Sequence, residues 1–205
     1  MVMAAYRSPV IAVLQQRWGM QLPDAEDLAH DFFAHALARD WLARYDPEKG
    51  RFRTFLRTCL LAYAATAHEA SMRHKRGGGL RHVPLEDATL IATDDDTAAI
   101  FDREWMRSVL SIALAALHDE CIAQDRATTW QVFSDYDVDG ADLDERPTYE
   151  SLAKRIGIPP TQVTNYLNWA RRKFRGHVLA TVRELTANDA EYREEVRALL
   201  GRAGS

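Results

Sequence analysis

The sequence predicts an all-α fold: two small helical domains joined by an acidic linker, with a helix-turn-helix in the C-terminal domain. Three observations predict it. Apolar residues recur at three- and four-residue intervals through most of the chain, and no stretch shows the alternation and tight turn of a β-hairpin. The run Gly77-Gly78-Gly79 cannot stay helical cheaply, and it opens a polar, acidic stretch that lacks aromatics. Residues 148–175 then read as helix, tight turn, helix. The implied boundaries are 1–78 for the first domain, 79–97 for the linker and 98–203 for the second domain.

In chain order, residues 4–18 form a first helix with Tyr6, Val10, Val13, Leu14 and Trp18 on its apolar face. Pro23-Asp24 opens a second helix reaching residue 40, and Asp24, Glu26 and Asp27 crowd the positive end of its dipole. Its Leu28, Phe32, Phe33, Ala36 and Leu37 fit a helical period. Tyr45-Asp-Pro-Glu-Lys-Gly50 is a turn, with Pro early and Gly last. A third helix covers 52–75, with Phe55, Leu56, Cys59, Leu60 and Tyr63 inward. After the linker, a helix over 98–124 carries Phe101, Trp105, Val109, Ile112 and Ala116, widened by Leu110, Leu114 and Leu117. A short helix at 128–133 precedes an acidic loop at 135–147.

Within the helix-turn-helix, Leu152, Ala153 and Ile156 recur at helical spacing, and Gly157 sits where that helix must stop and turn. Pro160 suits the first turn of the next helix, where a missing N–H costs nothing. Val163, Leu167, Ala170 and Phe174 form the buried stripe of a helix continuing toward Leu185. Asn188-Asp189 caps a last helix over 190–200.

Composition narrows the function classes. With 205 residues, 47% hydrophobic and 27% charged, the chain suits a soluble protein with enough length for two small cores. Its first residues lack the pattern of a secretory leader, and no apolar run is long enough to span a bilayer, so a cytoplasmic location without membrane contact is expected. Cys59 and Cys121 lie in apolar helical stretches and read as reduced core residues. There is no nucleophile elbow, no phosphate-cradling glycine loop and no convincing acid/base pair. No enzymatic activity, no cofactor and no small-molecule substrate are therefore expected.

His30 and His35 are five apart, so they share no helical face, and no cysteine pair accompanies them; no metal site is expected. Asp135-Tyr-Asp-Val-Asp-Gly140 begins like a calcium loop. Its later positions carry Asp142 and Arg146 where an apolar residue and a glutamate are needed, so an acidic surface loop is expected instead.

The net charge of −4 conceals a partition. Residues 50–79 hold Arg51, Arg53, Arg57, Arg73, Lys75 and Arg76 against the single acid Glu69. Residues 154–175 hold Lys154, Arg155, Arg171, Arg172, Lys173 and Arg175 and no acid. Residues 86–104 hold Glu86, Asp87, Asp94, Asp95, Asp96, Asp102 and Glu104 against the single base Arg103. Two basic islands flanking an acidic strip point to two nucleic-acid surfaces. Two roles fit the strip: mimicry of nucleic acid, or shielding of the basic surfaces in the free protein. Opposite the apolar stripe of the last basic helix stand Thr161, Gln162, Thr164, Asn165 and Asn168, short polar groups suited to base edges. Arg171, Arg172, Lys173 and Arg175 follow, placed for phosphates. A merely solvated face mixes Glu with Lys; this one holds no acid.

Several pieces resemble one family in the same order. Asp24-Ala-Glu-Asp-Leu-Ala-His-Asp-Phe-Phe33 resembles the acidic-aromatic helix of sigma-70-type RNA polymerase sigma factors. Tyr45-Asp-Pro-Glu-Lys-Gly-Arg-Phe-Arg-Thr-Phe-Leu56 is similar to their loop and promoter-melting helix, and Lys75-Arg-Gly-Gly-Gly79 to the exit from it. The helix-turn-helix resembles their −35-reading domain. Two domains and a linker match the layout of the extracytoplasmic-function (ECF) group.

The resemblance implies a transcription-initiation factor that binds core RNA polymerase and promoter DNA. Asp24, Glu26, Asp27 and Asp31 would meet the coiled-coil clamp of the β′ subunit. Arg51, Arg53, Tyr63, Arg73, Lys75 and Arg76 would engage the −10 element, and the 160–175 helix the −35 element. It also allows an anti-sigma factor as partner. One departure stands out: 66–74 reads Thr-Ala-His-Glu-Ala-Ser-Met-Arg-His, where the family often carries Asn and several Arg. Tyr166 and Trp169 also replace frequent charges, and packing on the last helix or on a partner is expected of them. Two other functions stand beside this one: a stand-alone helix-turn-helix regulator, and a sigma-like protein-interaction adaptor.

Overall fold

The computed structural model describes residues 2–74, 95–141 and 146–202. The fold is all-α. Among the described residues there are eight α-helices and no strand: α1 (Val2–Trp18), α2 (Leu22–Ala38), α3 (Phe52–His74), α4 (Asp95–Ala123), α5 (Ala127–Phe133), α6 (Tyr149–Ile156), α7 (Pro160–Glu184) and α8 (Asp189–Arg202). None is long and apolar enough to cross a membrane. Lys75, Arg76, the glycine run at 77–79 and the expected linker as far as residue 94 lie outside the described residues, as do 142–145.

Local chemistry accounts for most boundaries. Tyr45 closes the turn before α3 by donating its O–H to the Gly50 carbonyl at 3.0 Å, and Asp46 Oδ1 accepts the Glu48 N–H at 3.0 Å. Gly50 adopts φ 148°, open to glycine and strained for other residues. The Arg51 carbonyl then accepts the N–H groups of Thr54 and Phe55, which starts α3. Three short segments differ from expectation. A 3₁₀ turn fills Trp41–Arg44. α4 begins at Asp95 rather than at 98, because Asp95 and Asp96 favour the positive end of a helix dipole. The expected loop after α5 starts as a π turn, Ser134–Val138, and a 3₁₀ turn, Asp139–Ala141. At buried Gly140 the position of a Cβ lies 2.8 Å from the Asp135 carbonyl oxygen, so only glycine fits there.

The chain forms two compact units, Met1–Ser108 with Val182–Ser205, and Val109–Thr181. Residues 98–108 and those from 182 onward, expected in the second domain, thus count with the first unit. The first unit buries Tyr6, Val10 and Leu14 of α1, Phe32 and Phe33 of α2, Leu56, Leu60 and Leu61 of α3, and Phe101 and Trp105 of α4. Tyr6 meets Phe52 edge-on at 5.5 Å. Leu37 points outward at 61% exposure, a correction to the apolar face of α2.

The second unit packs Leu117, Cys121, Val132, Phe133, Leu152, Ala153, Val163, Leu167 and Ala170 into one core. Along α4 the buried stripe is Phe101, Trp105, Val109, Ala113, Leu117 and Cys121, every fourth residue; Ile112 and Ala116 are only half-buried and Leu110 is exposed. Both cysteines are buried and free, and burial pushes the Cys59 thiol up to about 11.

Candidate nucleic-acid interface

The second unit presents the helix-turn-helix as a capped and closed motif. Thr148 caps α6: its Oγ1 accepts the Ser151 N–H at 3.1 Å, and its carbonyl accepts the Ser151 hydroxyl at 2.9 Å. Gly157 ends α6 in the left-handed region, φ 78°. The Ile158 N–H then folds back to the Ala153 carbonyl at 3.1 Å, the six-to-one bond of a Schellman close. Pro160 starts α7 with no N–H to satisfy. Val163, Leu167 and Ala170 are fully buried, so helical geometry turns Thr161, Gln162, Thr164, Asn165 and Asn168 outward, and all five are exposed. Tyr166 and Trp169 are half-buried against the core of this unit. The Tyr166 hydroxyl approaches Gln162 Oε1 at 3.5 Å, and Trp169 carries the Arg126 guanidinium over its ring at 4.6 Å. Trp169 therefore packs on its own unit.

The four expected phosphate-binding cations do not stand alike. Arg171 is held by both oxygens of Asp137, at 2.7 and 2.9 Å, which raises its pKa further. Arg155 of α6 is paired with Asp135 at 2.8 Å. Lys173 donates to Glu120 at 2.5 Å, and His177 Nε2 lies 2.8 Å from the other oxygen of that carboxylate. These bonds, that from Lys173 first, hold Glu120 below the usual glutamate range. Arg172 and Arg175 are exposed and make no ion pair among the described residues. Arg171, by contrast, is tied down by the acidic turn.

The first unit arranges the expected −10 residues differently from the sequence reading. Arg53 is 5% exposed: it sits 3.1 Å from Asp102 and 3.0 Å from Glu195, with its guanidinium 4.8 Å over the Trp105 ring. It cannot meet nucleic acid in this arrangement, because its charge is enclosed by carboxylates from α4 and α8. Arg51 is partly exposed and lies 3.9 Å from Glu194 and 3.8 Å from Glu195. Arg57 is buried beside Asp102 at 3.8 Å, and burial lowers its guanidinium pKa. Tyr63 joins a ring cluster with Phe32 at 5.6 Å, His35 at 5.4 Å and Trp41 at 6.2 Å. Burial, then the Asp31 carboxylate, raises its phenol pKa. Arg73 falls in the last turn of α3, and Lys75 and Arg76 lie outside the described residues.

On α2 the acids separate. Asp24, Asp27 and Asp31 are exposed, and seven-residue spacing puts the first and last on one face. Glu26 is partly buried and takes Arg7 at 2.7 Å.

Sequence reasoning missed the acids of α8. Glu191 accepts the Phe52 N–H at 2.6 Å and the Ala187 N–H at 2.8 Å, while its own N–H donates to Asn188 Oδ1 at 2.9 Å. Glu195 is 2% exposed; burial pushes its carboxyl above the ordinary range, and Arg53 and Arg51 pull it back. The Asn188-x-x-Glu191 capping box was a visible signal for the first of these. Nothing local marks the second. Among the described residues no three His, Cys, Asp or Glu side chains form a metal-holding group. Comparison with protein-family models, curated proteins and solved structures finds no match.

Proposed function

We propose that this chain is a promoter-recognition factor of the ECF sigma kind, which binds duplex DNA through α7 and joins RNA polymerase through α2. One observation carries the reading. The amino-terminal half of α7, second helix of a capped helix-turn-helix, exposes Thr161, Gln162, Thr164, Asn165 and Asn168 on the face opposite its buried stripe. Such a helix fits the major groove, where Gln and Asn can pair with the adenine edge and Thr can serve either base. Arg172 and Arg175 lie further along α7 and would neutralise phosphates. The exposed Asp24, Asp27 and Asp31 offer a like-charged face to a basic partner.

A second reading, a stand-alone DNA-binding regulator, is favoured by Arg53: its burial between Asp102 and Glu195 takes one of the expected −10 residues out of reach in this arrangement. Selection from a random duplex library, with and without core polymerase, separates the two. The sigma reading expects an enriched sequence whose selection weakens with Gln162→Ala or Asn165→Ala, and co-elution with core polymerase that Asp27→Lys reduces. An enriched sequence without any polymerase complex supports the regulator, and no enriched sequence overturns both.

A further inference from the structure

We propose that α8 is a displaceable carboxylate cover over a phosphate-binding edge at the start of α3, and that single-stranded nucleic acid is what displaces it. This rests on the reading of α3 as a nucleic-acid helix.

The inward stripe of α8 is unusual in kind. Its buried positions are Glu191, Glu195 and Leu199, each four residues from the next. A helix fixed by apolar packing carries aliphatic side chains there; this one carries a single leucine and two glutamates. With Glu194, these acids face Arg51, Arg53 and the Phe52 N–H. Two guanidinium groups beside a helix-initial N–H are the donors that hold a phosphodiester. The carboxylates of α8 therefore occupy the places that phosphate oxygens would take.

The cover is also poised to leave. Taking Glu195 and Arg53 out of water costs much of what their attraction returns. When α8 departs, its acids regain water, and a polyanion restores charge-assisted bonds to the arginines. Asp102 stays beside Arg53 at 3.1 Å and keeps it aimed. The cap of α8 is internal, since Asn188 and Ala187 bond to Glu191, so its first turn need not unravel on release.

The test measures binding of a short labelled oligothymidylate by fluorescence anisotropy. A chain ending at Ala187 is expected to bind about tenfold tighter than the full chain at equal salt, and Arg51→Ala in the shortened chain is expected to remove the gain. A shortened chain that keeps its helical circular dichroism and binds no tighter overturns the cover. Should that chain not fold, the full chain with Glu191→Gln and Glu194→Gln decides: each amide keeps one acceptor oxygen, and the chain loses two charges. About threefold tighter binding is expected of it, and unchanged binding overturns the proposal. Hydrogen exchange on the full chain saturated with oligothymidylate should show α8 losing protection; retained protection also overturns it. If these outcomes fail while Gln162 and Asn165 still select a duplex sequence, the cover falls and the promoter reading stands. Loss of that selection has the opposite consequence.

Discussion

The Phe52 backbone N–H donates to Glu191 Oε1 at 2.6 Å, so the first turn of α3 is capped by a side chain 139 positions further along the chain. The other carboxylate oxygen caps α8 itself through the Ala187 N–H. One residue thereby serves two helix beginnings, each with N–H groups that lack an intrahelical partner.

Glu191→Ala should destabilise the protein by about 2 kcal/mol, because it strands two partly buried donors. Glu191→Gln should lose about half of that, since its single amide oxygen can serve only one of the two donors. Urea unfolding of the three proteins checks this; an alanine variant as stable as the parent would sink it.

On α7, Gln162→Ala and Asn165→Ala should each reduce discrimination between the selected sequence and a mismatched one by about 1–3 kcal/mol. Both side chains are exposed, so melting temperature should not move. Equal losses on all sequences would show that these residues read no base.

Salt dependence should separate neighbouring arginines. Arg172→Ala should lower the slope of log affinity against log salt by about 0.9, the share of one phosphate contact. Arg171→Ala should lower it less, because Asp137 already holds that guanidinium with two bonds. Equal slopes for the two variants would contradict the assignment.

Glu120 gives the second unit an acid limb. Hydrogen bonds from Lys173, then His177 and Gln124, favour its ionised form and keep its folded pKa below the ordinary 4.5. Its stabilising contribution is complete above 4.5 and disappears as pH falls through the lowered folded value. Melting temperature should therefore drop on acidification below that point, and Glu120→Gln should flatten the drop. A parallel pH profile for the variant would exclude the effect.

Much of the fold was legible because its punctuation is local. Gly50, Gly157, Pro160 and the Asn188 capping box act on their own few residues, and the helices begin and end within a few residues of where such signals stand. The outward face of α7 was legible for the same reason: Val163, Leu167 and Ala170 fix which side is buried. Arg53 was not legible. Its partners Asp102 and Glu195 come from other helices, and no periodicity announces a glutamate that faces inward. Arg171 misled in a milder way, since the π turn that brings Asp137 to it reads as loop in the sequence. Leu37 and Leu110 have the right spacing for a core but lie at the margins of their stripes.

Gly140 links a minute steric allowance to the charge on α7. The turn it closes carries Asp135 and Asp137, the counterions of Arg155 and Arg171. A methyl group at 140 would collide with the Asp135 carbonyl, and the turn would have to open to relieve it. Both arginines would then lose the counterions that the turn holds against them, and the least bulky replacement available would leave the surface of this unit more basic and stickier toward any polyanion.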